Sequence, residues 1–165
     1  MEIIPTKIQV KSLTYDDIVN LLCTAITDGS QYLYLRNPSR HYETHCKVDP
    51  NDTLEDRCAK VLLSGGKIRI TDYDADGIGY AGNDVPFKVG SDDTVTYTVG
   101  LDNILSGLEN AANGDFIPSS GDVDEERRTL REAFDELAKG DEGDLDYGEA
   151  DMLMQIILFG EVIYG

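Results

Sequence analysis

Ala150-Asp151-Met152-Leu153-Met154-Gln155-Ile156-Ile157-Leu158-Phe159-Gly160-Glu161-Val162-Ile163-Tyr164-Gly165 is the most apolar stretch of an otherwise acidic chain. Between Met152 and Phe159 only Gln155 is polar, so a helix there keeps no wet face of useful width. A helix that is apolar nearly all round belongs inside a core. The run is too short to cross a bilayer, which takes about 20 apolar residues. The spacing therefore predicts a central helix over 150–160, broken at Gly160 and followed by a short terminal strand, with every other element packed against it.

The elements upstream supply what such a helix needs as partners. Ile8, Val10 and Leu13 suggest an opening strand around residues 5–12. Thr14, with Asp17 three residues on, opens a helix whose apolar face is Ile18, Leu21, Leu22, Ala25 and Ile26, and Gly29 stops it. Tyr32-Leu33-Tyr34-Leu35 reads as a strand, and residues 36–51 as a polar, turn-rich segment carrying both histidines. Asp52 and Glu55 open a second helix through Leu54, Cys58, Val61 and Leu62. Lys67-Ile68-Arg69-Ile70-Thr71 alternates as a strand should, Phe87 and Val89 suggest a short one, and Val95, Tyr97 and Val99 a longer one after a turn at Ser91-Asp92-Asp93. A third helix runs from Leu101 to Asn113, and a fourth over 123–138 buries Leu130, Ala133, Phe134 and Leu137. Residues 115–122 read as an exposed connection and 140–148 as an acidic loop. These alternations predict one α+β domain over residues 1–165, a small antiparallel sheet packed with about five helices.

Charge is the second constraint. The chain has 165 residues with 32 acids against 14 bases, a net charge of −18. The acidity grows along the chain: residues 1–60 are net −2, residues 61–123 net −7 and residues 124–165 net −9. Such a field repels nucleic acid and anionic membrane and attracts basic surfaces, so direct nucleic-acid or membrane binding is not expected. No signal sequence or membrane span is read, and three cysteines without framework spacing fit a reduced, cytoplasmic setting.

Each cation motif has a simpler competitor. Asp72, Asp74 and Asp76 followed by Gly77 match the first half of a calcium loop, yet Asn83 stands where a bidentate Glu belongs. An acidic turn after a strand explains the same residues. Gly143, Leu145 and Glu149 are spaced like positions six, eight and twelve of an EF-hand, but Ala138 and Gly140 fall at its first and third ligand positions. His41, His45, Cys46 and Cys58 could be combined as a zinc set, but follow no common module, and Cys58 lies on an apolar stripe. No nucleophile elbow, Walker loop, dinucleotide fingerprint or H-E-x-x-H motif occurs, so nothing argues for an enzyme.

The two ends of the chain resemble a family of small acidic proteins from phages and integrative elements of gut Firmicutes. The opening resemblance runs from Thr14-Tyr15-Asp16-Asp17-Ile18 through Ala25-Ile26-Thr27-Asp28-Gly29-Ser30-Gln31-Tyr32, with Leu33 where the family often has Trp. The closing one is the specific part, A-D-x-x-x-Q-x-x-L-F-G-x-x-x-Y-G from Ala150 to Gly165. The resemblance implies a mobile-element origin, and with it the expectation of an anti-defence role.

That expectation can be stated in residues. Carboxylates three or four residues apart on a helix lie about 5–6 Å from one another and can form a negative stripe. Glu132, Asp135 and Glu136 are so spaced, Asp124 and Glu125 open the same helix, and Asp141, Glu142, Asp144, Asp146 and Glu149 extend the charge. DNA carries one negative charge per about 1.7 Å of duplex axis, and its binding proteins answer with basic grooves. The leading expectation is therefore an inhibitor that occupies the basic groove of a host nuclease, an anti-CRISPR against an RNA-guided effector first and an anti-restriction protein second. The alternatives are a calcium-binding or calcium-stabilised module on Asp72, Asp74, Asp76 or Glu149, and an acidic structural domain whose charge serves solubility.

Overall fold

The computed structural model describes residues 7–119, 121–140 and 143–164, apart from the side chain of Thr44. The chain is α+β. Helix α1 (Tyr15–Leu22) is opened by a reciprocal cap, Thr14 Oγ1 accepting from the Asp17 N–H and the Asp17 carboxylate from the Thr14 N–H. It widens into a π-helical turn over Cys23–Thr27, closed by the Asp28 N–H donating to the Cys23 carbonyl. Strand β1 (Leu33–Leu35), helix α2 (Arg40–His45), helix α3 (Leu54–Leu63) and strand β2 (Lys67–Asp72) follow. Strands β3 (Phe87–Val89) and β4 (Val95–Gly100) form a hairpin over a tight turn in which Asp92 and Asp93 take positive φ. Helices α4 (Leu101–Asn113), α5 (Val123–Ala138) and α6 (Tyr147–Phe159) complete the chain.

The four strands lie in the order β1-β2-β4-β3, antiparallel throughout. Ile68, Ile70, Val95, Tyr97 and Val99 point to the helical side and are buried. Their neighbours Arg69, Thr71, Thr96 and Thr98 point the other way, as the two-residue period of a strand requires. Helix α6 packs on α4, α5 and the π-helical turn. From Leu153 to Phe159 every residue is buried, as a helix without a wet face predicts. The approach of α4 is close enough that a Cβ on Gly107 would sit 2.5 Å from Ile157 Cα. Phe159 ends α6 against the rings of Tyr80 and Tyr97, and Gly160 takes the left-handed conformation that stops the helix.

Several boundaries move. Within the described part of the expected opening strand, residues 7–12 form none. The backbone of Ile8 instead pairs with one side chain, its N–H donating to Asn113 Oδ1 and its carbonyl accepting from Asn113 Nδ2. An amide side chain at the end of α4 thus satisfies both groups that a strand partner would have satisfied. Helix α2 lies in the segment expected to be turns, tied to α3 by the Arg57–Glu43 ion pair at 3.2 Å. Helix α3 is capped one residue later than expected, by Thr53 and Asp56. Helix α6 begins at Tyr147 rather than 150, because Asp146 accepts from the Glu149 N–H and starts it early. The terminal strand reduces to one parallel bridge between Ile117 and Glu161.

Candidate functional site

Helix α5 is amphipathic. Glu126, Leu130, Ala133 and Leu137 face inward, and Asp124, Glu125, Arg127, Arg128, Arg131, Glu132 and Asp135 face solvent. Glu126 is the exception among its acids: it is buried, and its carboxylate accepts from the Ser119 N–H at 2.9 Å and the Ser119 hydroxyl at 2.6 Å. It fastens the 115–122 connection to the helix. The outward carboxylates divide by what they touch. Asp135 pairs with Arg131 at 3.2 Å. Glu136 receives Lys139 Nζ on one oxygen and the Asp144 N–H on the other, both at 2.7 Å, and the lysine bond first of all holds its carboxyl below the usual range. Asp146 is spent on capping α6. Among the described residues, the carboxylates of Asp124, Glu125 and Glu132 have no hydrogen-bond or ion-pair partner. Asp144 is exposed through its own side chain, and Asp141 and Glu142 lie outside the described residues.

Glu149 behaves unlike the rest. Placed in the first turn of α6 rather than in a loop, its Oε2 is buried without a hydrogen-bond partner. Burial pushes its carboxyl up to about 7, helped by the adjacent Asp146 carboxylate and by the fields of Glu132 and Glu136. It lines a groove of about 490 Å3 between α5, α6 and the C-terminal tail, together with Glu126, Asp146 and Asp151.

The expected calcium residues separate. Asp72 is fully buried and turned inward: Oδ1 accepts from the Asp74 N–H at 2.9 Å and Oδ2 from the Tyr164 hydroxyl at 2.9 Å. Asp74 and Asp76 are exposed. Among the described residues, no group of three or more His, Cys, Asp or Glu side chains gathers as cation ligands would. His41 and His45 meet edge to face, Cys46 lies against Ser64, and Cys58 sits buried in the core, where desolvation pushes its thiol up to about 12.

The closing motif is a framework. Gln155, fully buried, takes the Ile163 and Tyr164 N–H groups on Oε1 and gives Nε2 to Asp151 Oδ2 and the Tyr164 carbonyl. Asp151 also accepts from the Tyr32 hydroxyl at 2.7 Å, and the rings of Tyr32 and Tyr164 lie 4.4 Å apart. The resembling segments at the two ends of the chain therefore meet in space.

The sheet carries a surface that sequence reasoning missed. The outward positions hold Arg36, Lys67, Arg69 and Lys88, with Tyr34 and Tyr73, and no carboxylate stands at any outward position of the four strands. The net charge of −18 conceals that these four cations share one side of the sheet. The signal was present as alternation: Lys67 and Arg69 leave Ile68 and Ile70 for the core, so both cations share one side. Comparison with protein-family models, with curated proteins and with solved structures returned no match for the chain. No described helix is long and apolar enough to cross a membrane.

Proposed function

We propose that this chain is an anti-defence protein of a phage or integrative element, acting in the host cytoplasm by occupying the basic groove of a nucleic-acid-binding nuclease. The observation that carries the reading is the unpartnered state of Asp124, Glu125 and Glu132 on the solvent face of α5. Asp124 and Glu125 stand in the first turn of α5, where the helix N-terminus favours carboxylates, and with Glu132 they leave a negative surface that a basic partner would neutralise. Leu130, Ala133 and Leu137 hold the helix from behind, so the charges are displayed from a rigid element rather than from a loop. Arg127, Arg128 and Arg131 interrupt the stripe, which favours a specific protein groove over a uniform imitation of duplex phosphates. The resemblance of residues 150–165 to mobile-element proteins supports the setting, with an RNA-guided effector as the first target class and a restriction nuclease as the second.

The test is capture of a host nuclease by the tagged protein from lysate, followed by competition with duplex DNA. The expected result is binding that DNA displaces, that weakens steeply with salt, and that the triple variant D124N/E125Q/E132Q loses while remaining folded. Binding that ignores salt, or that survives the triple variant, overturns the assignment to this face.

A further inference from the structure

We propose that the outward face of the sheet binds single-stranded nucleic acid, with Arg36 and Arg69 on phosphates and Tyr34 and Tyr73 against bases. The two arginines are neighbours across β1 and β2, since the Arg36 N–H donates to the Arg69 carbonyl at 2.9 Å. Like charges placed side by side on adjacent strands destabilise a sheet unless something neutralises them. Among the described residues neither arginine forms an ion pair. Arg36 donates to the Tyr73 hydroxyl at 3.4 Å and Arg69 to the Asn37 carbonyl at 2.9 Å. A guanidinium has five N–H donors in a planar fork, so most of their capacity stays open toward solvent.

The space in front of them is an open concavity of about 520 Å3 whose floor is the hydroxyl pair Thr71 and Thr96, 2.9 Å apart, with Asp92 at the rim. Guanidinium forks beside hydroxyls suit a phosphate, and they would suit a carboxylate equally. The aromatic pair decides between them. Tyr34 and Tyr73 meet edge to face at 4.8 Å and are 55% and 47% exposed, so aromatic surface stands open beside the two guanidiniums. Sheet-borne tyrosines offer stacking platforms to unpaired bases, which an acidic peptide cannot exploit and a duplex cannot present. Asp92 at the rim opposes an anion locally, while charges elsewhere on the chain are screened beyond about 10 Å at 0.1 M ionic strength. Recognition here is accordingly local and of modest affinity.

The probe is a fluorescein-labelled oligodeoxythymidylate of about a dozen nucleotides, followed by anisotropy at about 0.1 M salt with the full-length protein. Saturable binding is expected, weaker for a duplex of equal length. R36Q/R69Q should lose about tenfold or more in affinity, Tyr34→Ala on the order of tenfold, and Tyr34→Phe almost nothing. All three positions are exposed, and matched thermal melts show that the variants fold. D124N/E125Q/E132Q should bind the oligonucleotide at least as well as the parent protein, so failure of the nuclease reading leaves this one standing. Absence of saturable binding by the folded protein, indifference to R36Q/R69Q, or equal binding of the duplex each overturns the proposal. So does a R36Q/R69Q variant whose only change is loss of self-association in sedimentation, which would make the face a contact for the carboxylates of a second copy.

Discussion

Gln155 and Tyr164 are joined through both ends of one amide: Gln155 Oε1 accepts from the Tyr164 N–H at 2.8 Å, and Nε2 donates to the Tyr164 carbonyl at 3.0 Å. The one polar residue of the core helix is thus a substitute strand. It gives the tail the backbone partners that the lone bridge at Glu161 cannot supply, since buried backbone groups must be paired.

Gln155→Leu keeps the volume and removes the amide. It leaves the Ile163 and Tyr164 N–H groups unpaired and should cost about 2–3 kcal/mol in chemical denaturation. A loss below about 0.5 kcal/mol would show that the tail is held chiefly by its rings.

Tyr164→Phe keeps the ring and removes the hydroxyl that satisfies Asp72. Burial, first of all, already holds the Asp72 carboxyl above its ordinary range, and the tyrosine opposes that shift. Without it the folded-state value rises further. A carboxyl raised in the folded state costs stability above its unfolded value and regains it as the pH falls. The variant should therefore be destabilised at neutral pH and recover part of the difference in mild acid, read as the melting-temperature gap between variant and parent across pH. A gap that widens in acid would contradict this.

Glu149 makes the same kind of prediction in a more accessible window. Its carboxyl is at about 7 in the fold against 4.5 unfolded, so its contribution is fully present below the unfolded value and is lost as pH rises through 7. Glu149→Gln should stabilise the protein above pH 7 by on the order of 1 kcal/mol, because solvent screens part of the charge, and should flatten the pH dependence between about 5 and 8. Thermal melts of both proteins across that range decide it.

Gly107→Ala should destabilise although alanine is the better helix former by about 1 kcal/mol. The new methyl would meet Ile157 Cα at 2.5 Å and Cγ1 at 2.6 Å, and a backbone atom of a fully packed helix cannot give way. A net cost of about 1–3 kcal/mol is expected. The complementary Ile157→Ala change opens a cavity at a fully buried position and should cost about 2–5 kcal/mol. A Gly107→Ala protein more stable than its parent would mean that α4 and α6 can separate freely.

The core helix, the amphipathic helices and the strands were legible because burial imposes a period on apolar residues, and that period is written locally. Helix α6 shows the limit of this rule: its apolar run was plain, but its start depended on Asp146 as a cap, which looked like one more residue of an acidic loop. The acidic site was legible as composition only. Glu126, Asp135, Glu136 and Asp146 belong to the same charge run as Asp124, Glu125 and Glu132, yet the fold uses the first four and leaves the last three open.

By itself, then, the sequence determined the α+β class and the identity of the central helix, since each follows from neighbours along the chain, and the total charge, which is a sum over residues. Only the tertiary structure decided which charges are available. It turned Asp72 inward to Tyr164, gave Gln155 to the tail, and set Arg36 beside Arg69 on a sheet face whose outward strand positions hold no carboxylate. A carboxylate or guanidinium has the same formal charge wherever it stands, and the partners of Asp72 and of the arginine pair come from residues distant in sequence, so their consequences appear only when the chain is closed.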